Sequence, residues 1–116
     1  MEVKIFHNSK CSKSRQTFLL LEAHGIKPIV VEYLKTPPDA ATIRHLLTLL
    51  NYSPRQLMRT KEAEYKENNL NDETLTNDQL IQAMIDIPKL IERPIVVVDD
   101  KKAVIGRPPE NVLDIV

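Results

Sequence analysis

Polar and apolar residues change period several times along the chain, and each change marks an element. Residues 2–6, Glu-Val-Lys-Ile-Phe, alternate polar and apolar, the period of a half-buried strand. A short loop, residues 7–10, leads to Cys11. From Ser12 the spacing becomes helical: Phe18 and Leu21 lie three apart, Leu19 and Ala23 four apart, so each pair shares a helix face. His24-Gly25 ends this helix, since a helix C-terminus favours a residue that tolerates the left-handed conformation. Residues 28–33 read as a second strand, and the unbroken apolar run Ile29–Val31 predicts burial on both of its faces. Strand, helix and strand within about 30 residues make a βαβ unit, which predicts parallel pairing of the two strands.

The next start signal is Thr36-Pro37-Pro38-Asp39, with Thr as N-cap, Pro at the first helical position and an acid three residues on; the helix is expected to run to about Leu50. Ser53-Pro54-Arg55-Gln56 repeats the signal and opens a short helix towards Arg59. Residues 61–71 are polar and charged, a solvated helix and turn. Thr76-Asn77-Asp78-Gln79 is a capping box ahead of Leu80, Ile81, Met84 and Ile85 at helical spacing, and Pro88 closes that helix. Residues 94–98 form a β-branched strand, Asp99-Asp100-Lys101 a hairpin turn, and residues 102–105 a second strand. Pro108-Pro109-Glu110 starts a final short helix carrying Val112, Leu113 and Ile115. The organisation is α/β: βαβ, a helical insertion at about 37–90 between strands two and three, then ββα. It reads as one domain, residues 1–116.

Composition narrows the function classes. At 116 residues, 42% hydrophobic and 28% charged, with only two Gly, the chain has the make-up of a folded globular domain with one core. Lys plus Arg balances Asp plus Glu at 16 each, so no bulk field draws nucleic acid or an anionic membrane, and any anion site is local. No apolar stretch approaches the ~20 residues of a membrane helix. The opening MEVKIFHNSK carries charge within its apolar run, unlike a signal peptide, so the cytoplasm is the expected compartment. A single Cys excludes an internal disulfide and suits a reducing compartment. Any redox cycle at that Cys therefore needs a thiol from another molecule.

Cys11 follows a strand and opens a helix, where unpaired N–H groups and the helix dipole favour an anion. Lys10, Lys13 and Arg15 add positive charge nearby. Such a setting lowers a thiol pKa into the range ~3.5–7.5, giving a thiolate nucleophile at neutral pH. A lone Cys is otherwise a small buried hydrophobe, and the basic, polar neighbourhood argues against that. Ser14 stands where a CxxC motif has its second Cys; its hydroxyl is suited to donate to the thiolate but does not resolve a mixed disulfide. A phosphatase loop needs Cys-x5-Arg, whereas Arg15 is four residues after Cys11 and Thr17 occupies the sixth place. A clamp for an oxyanion must come from elsewhere, and Arg59, Arg93 and Arg107 are the candidates because a planar guanidinium meets two oxygens at once. Taken singly, each also reads as a solvated surface Arg. His7 either orients the Cys11 loop or is an ordinary strand-end His. His24 and His45 have no partner at metal-ligand spacing, and no metal site is expected. The aromatic residues are scattered and suit a core rather than a base-stacking platform.

Phe6-His7-Asn8-Ser9-Lys10-Cys11, followed by Ser12-Lys13-Ser14-Arg15, resembles the glutaredoxin-linked arsenate reductases. So do Leu57-Met58-Arg59, Asn77-Asp78-Gln79-Leu80-Ile81, Glu92-Arg93-Pro94-Ile95-Val96-Val97 and Ile105-Gly106-Arg107-Pro108-Pro109-Glu110, in this order over essentially the whole chain. Cys-Ser-Lys-Ser-Arg, where plasmid-type members carry Cys-Gly-Thr-Ser-Arg, is similar to the chromosomal subgroup. The resemblance implies a thioredoxin-like fold with a helical insertion and a cis peptide bond at Pro94. It implies Cys11 as nucleophile, with His7, Ser14 and Arg15 in the catalytic set and Arg59, Arg93 and Arg107 binding the oxyanion. The implied activity is reduction of arsenate to arsenite, with glutathione as co-substrate, glutaredoxin as partner and no bound cofactor. Two alternatives stand beside it. One is a redox-responsive regulatory binding protein without catalysis, although such relatives tend to carry a Cys pair. The other is a glutathione-dependent reductase of another oxyanion or of mixed disulfides, between which the three Arg favour the oxyanion.

Overall fold

The computed structural model describes all 116 residues, Met1–Val116. Its contacts divide the chain into two compact units, Met1–Thr36 with Arg93–Val116, and Pro37–Glu92.

The first unit holds strands β1 (Val3–Phe6), β2 (Ile29–Val31), β3 (Ile95–Val98) and β4 (Lys102–Ile105), in the order β2-β1-β3-β4. β1 runs parallel to β2 and antiparallel to β3, with Ile5 opposite both Val30 and Val96. The βαβ expectation thus holds. The β3–β4 hairpin turns at Asp99 and Asp100, whose φ of 52° and 54° place both in the left-handed region that a tight hairpin needs. Helix α1 (Ser12–Ala23) ends at His24 and Gly25, and Gly25 supplies a φ of +76°. Val3, Ile5, Val96 and Val98 meet Leu21 of α1 and Val112 of the closing segment to form the core of this unit.

Two expectations are corrected here, on β2 and on the closing segment. The run Ile29–Val31 is not buried on both faces: β2 is an edge strand, with Ile29 49% and Val30 42% exposed. Its β-branched residues serve extended backbone and pairing with β1 rather than burial. In α1 the buried positions are Ser14, Thr17 and Leu21, while Leu19 is 60% exposed. The closing segment, Pro109–Asp114, is a 3-10 helix rather than an α-helix; it buries Val112 and leaves Leu113 exposed.

The second unit comprises α2 (Ala40–Leu50), α3 (Pro54–Leu57), α4 (Ala63–Glu67), α5 (Asn77–Asp86) and a 3-10 turn, Pro88–Leu90. α2 starts later than the Thr36-Pro37 signal suggests. Pro38 disfavours helical backbone at Pro37, and Asp39 caps instead, its carboxylate accepting the Thr42 N–H at 2.8 Å. Thr76 and Gln79 make the expected capping box of α5, and Gln56 Oε1 accepts from the Ser53 N–H ahead of α3. α2 packs on α5, burying Ile43, Leu46 and Leu47 on one helix and Leu80, Ile81 and Met84 on the other. Within the charged stretch 61–71, Tyr65 is buried, its hydroxyl held at 2.6 Å by Arg55, which also donates to the carbonyls of Leu70 and Asp72. Met58 and Ile91 form an isolated antiparallel bridge.

Candidate active site

Cys11 is the N-cap of α1, with extended backbone at φ −95° and ψ 124°. An N-cap side chain faces the unpaired N–H groups of the first helical turn, and here that side chain is a thiol. The loop before it is pinned at several points. The Cys11 N–H donates to the Asn8 carbonyl at 3.0 Å, and the Lys10 N–H donates to Asn8 Oδ1 at 3.0 Å. Arg15 Nη1 reaches back to the Ser9 carbonyl at 2.9 Å, so this cation braces the loop.

Ser14 takes part in two ways. Its hydroxyl oxygen accepts the Asn8 N–H at 3.0 Å and lies 2.7 Å from His7 Nδ1. The hydroxyl proton is then available to His7, which suits a neutral imidazole. Burial pushes the His7 pKa below 6.5; Glu32 opposes that shift and Arg15 reinforces it. The sequence nominated the Ser14 hydroxyl as donor to the thiolate; that hydroxyl is engaged by His7 and Asn8 instead, and it is the Ser14 N–H that lowers the Cys11 pKa.

The ionisation of Cys11 follows from opposing causes. Burial pushes the thiol up. The Ser14 N–H, the Arg93 charge, the Lys13 N–H and a hydrogen bond from Arg93 outweigh it, and the pKa lies below the ordinary 9.0. Arg107 Nη1 stands 3.9 Å from Cys11 Sγ and 3.3 Å from the Arg93 carbonyl oxygen. Arg93 and Arg107 arrive together because they flank paired strands, Ile95 of β3 standing opposite Ile105 of β4. The bonds Arg93–Pro94 and Arg107–Pro108 are both cis.

Sequence reasoning missed the support for this pair. Gly106 is buried, and a Cβ there would fall 2.6 Å from Thr17 Oγ1 and 2.9 Å from Pro94 Cγ, so only glycine lets α1, Pro94 and the end of β4 approach. Thr17 Oγ1 lies 2.8 Å from the Lys13 carbonyl and 3.3 Å from that of Gly106, and the Gly106 N–H donates to the Pro94 carbonyl at 2.9 Å. The available clue was Gly106 itself, one of two glycines in the chain and the residue before Arg107.

Arg59 belongs to the helical unit. Its guanidinium pairs with Glu62 at 2.5 Å and lies 3.5 Å from the Lys89 carbonyl, while Lys89 Nζ approaches Glu62 and Glu64 at 3.6 and 3.2 Å. The same unit has a cavity of 650 Å³ beside α2 and α5, bordered by the Arg44–Asp78 ion pair at 2.9 Å. None of the nominated site residues lines it.

A thiol at the N-cap position, between two guanidinium groups, is equipped to attack an electrophilic centre that carries anionic oxygens. The model of the ArsC family matches residues 6–115 of the chain. The chain belongs to the ArsC family. Among its relatives, the uncharacterized protein YfgD of Escherichia coli (strain K12) is 60% identical over 116 residues, 99% of this chain and 97% of that one. An arsenate reductase of Neisseria meningitidis serogroup B is 49% identical over 112 residues, 96% of this chain and 95% of its own. The solved structure of an arsenate reductase from Vibrio cholerae superposes with a TM-score of 0.96 at 51% identity, covering 100% of this chain and 98% of that one. The mixed four-stranded sheet with its helices is the thioredoxin-like fold of the ArsC family. No helix of this ArsC member is long and apolar enough to cross a membrane.

Proposed function

We propose that the chain reduces arsenate to arsenite, with Cys11 as nucleophile, glutathione as co-substrate and glutaredoxin as partner. The observation that carries this reading is the meeting of Arg93 and Arg107 at a thiol in the N-cap position, its pKa below the ordinary value. A tetrahedral oxyanion seated against these guanidiniums gains charge-assisted hydrogen bonds and presents its central atom to Sγ. Arginine suits that task better than lysine because its fork binds two oxygens. The resemblance assigns Arg59 to the same oxyanion.

Cys11 Sγ attacks arsenic and forms an S–As bond, while an As–O bond breaks and the oxygen leaves as water after taking up protons. The chain has no second cysteine, so the two electrons that convert As(V) to As(III) come from thiols of other molecules. Glutathione attacks next and glutaredoxin completes the exchange. Two external thiols end as one disulfide, arsenite leaves, and Cys11 returns as thiolate. His7 and Ser14 hold the loop from which Sγ acts, and Arg15 braces it through Ser9.

The test is arsenate-dependent NADPH oxidation coupled through glutathione, glutathione reductase and glutaredoxin, with Cys11→Ser alongside. Turnover in the native protein and none in the variant is the expected result. Full turnover in Cys11→Ser removes the thiol from the mechanism. A native protein without turnover, its Cys11 still alkylating fast near neutral pH, moves the substrate away from arsenate.

A further inference from the structure

β1 and β2 run parallel, so the loop 7–10 and the turn 32–35 leave the sheet at the same end. The carboxyl ends of parallel strands are where open α/β sheets form binding crevices. A cavity of 180 Å³ lies there, walled by His7, Asn8 and Lys10 on one side and by Glu32, Leu34 and Lys35 on the other. The His7 N–H, donating to the Val31 carbonyl at 2.9 Å, joins the two sides.

Three features give this crevice a chemistry. It presents both signs of charge, Lys10 facing the turn that carries Glu32 and Lys35. Glu32 and Lys35 pair at 3.4 Å, but both side chains are well exposed, at 45% and 77%, and such a surface pair re-forms around a ligand at small cost. Between the charges lies an apolar wall, with Leu34 44% exposed. Lys10 immediately precedes Cys11, so its Cα is about 3.8 Å from that of Cys11, and the Cα of Ser9 is at most about 7.6 Å away. A ligand lodged here lies against the loop that ends at Cys11.

We propose that this crevice seats the γ-glutamyl head of glutathione. The inference rests on the reading of glutathione as co-substrate. That head is a zwitterion: its carboxylate meets Lys10 and its ammonium meets Glu32. The glycyl end carries only a carboxylate and would leave Glu32 facing a like charge. A volume of 180 Å³ is also smaller than the ~300–1,000 Å³ that encloses a drug-sized ligand, so it takes one end of the tripeptide and leaves the cysteinyl sulfur outside, towards Cys11.

The experiment is a titration of the ¹⁵N-labelled chain with S-methylglutathione, whose blocked sulfur cannot react, read by amide chemical shifts. Saturable shifts at residues 7–10 and 32–35, absent with S-methylcysteinylglycine and weakened in Glu32→Gln, are expected. Shifts confined to other segments, equal shifts with the dipeptide, or none at millimolar ligand overturn the proposal. In the coupled assay Glu32→Gln raises the KM for glutathione several-fold without moving that for arsenate; the opposite split also overturns it. If the amides respond but arsenate is not turned over, the crevice stands and the arsenate reading falls. If arsenate is turned over with glutathione and the amides do not respond, the reverse holds.

Discussion

Helix α5 buries Leu80, Ile81 and Met84, three of the four apolar positions its periodicity marks, whereas α1 buries Ser14 and Thr17 with Leu21 and leaves Leu19 60% exposed. The first helix exists to pack, and its periodicity says so. Helix α1 instead opens at Cys11, and its buried stripe is polar where it approaches the thiol. Burying an unpartnered hydroxyl costs about 1–3 kcal/mol. Both hydroxyls avoid that cost, Ser14 through His7 and Asn8, Thr17 through the carbonyls of Lys13 and Gly106. Around the site, burial is organised by hydrogen bonds, and hydrophobicity reads it wrongly.

Substitutions sharpen the contrast, from the largest expected effect downwards. Met84→Ala in α5 empties a fully buried position and is expected to cost about 2–5 kcal/mol in denaturant unfolding. Gly106→Ala forces a Cβ onto Thr17 and Pro94, with an expected loss of about 1–3 kcal/mol from overpacking. It also displaces Arg107, so alkylation of Cys11 slows in the same variant. If Gly106→Ala leaves both stability and alkylation unchanged, the close approach has no role in the site. Leu19→Lys, although it alters the most apolar stretch of α1, is expected to change stability by no more than about 0.5 kcal/mol. A loss comparable to that of Met84→Ala would erase the distinction between the two helices.

The candidate site residues most readable in the sequence were those whose chemistry is local. Cys11 stands between a strand and a helix with cations around it, and the strand–helix–strand order follows from periodicity. Arg93 and Arg107 were readable only as candidates, because their meeting depends on the pairing of Ile95 with Ile105. Exposure of β2 was not readable, since strand order is not written in any single strand. The shift of the α2 cap from Thr36 to Asp39 turns on the second of two prolines, and both residues are good caps in isolation. Which donor of Ser14 reaches the thiolate is decided by loop geometry, as the hydroxyl is already engaged by His7 and Asn8.

Acidity ties the site to stability with a definite sign. The folded pKa of Cys11 lies below its ordinary 9.0. Its contribution to stability is therefore complete above the ordinary value and is lost as pH falls through the folded one. The stability advantage of the native chain over Cys11→Ala is expected to widen as pH rises towards 9.0. His7, also lowered, acts with the same sign at lower pH, losing its contribution as pH falls through its folded pKa.

The most direct test of the account is the rate of Cys11 alkylation by iodoacetamide as a function of pH, in the folded chain and in denaturant. With one cysteine, the reaction reports a single group. The expected result is a folded midpoint below both the denatured midpoint and 9.0, set by the Ser14 and Lys13 N–H groups and by Arg93. A folded midpoint equal to or above the denatured one would contradict it, because Cys11 would then be a buried thiol and not a poised nucleophile.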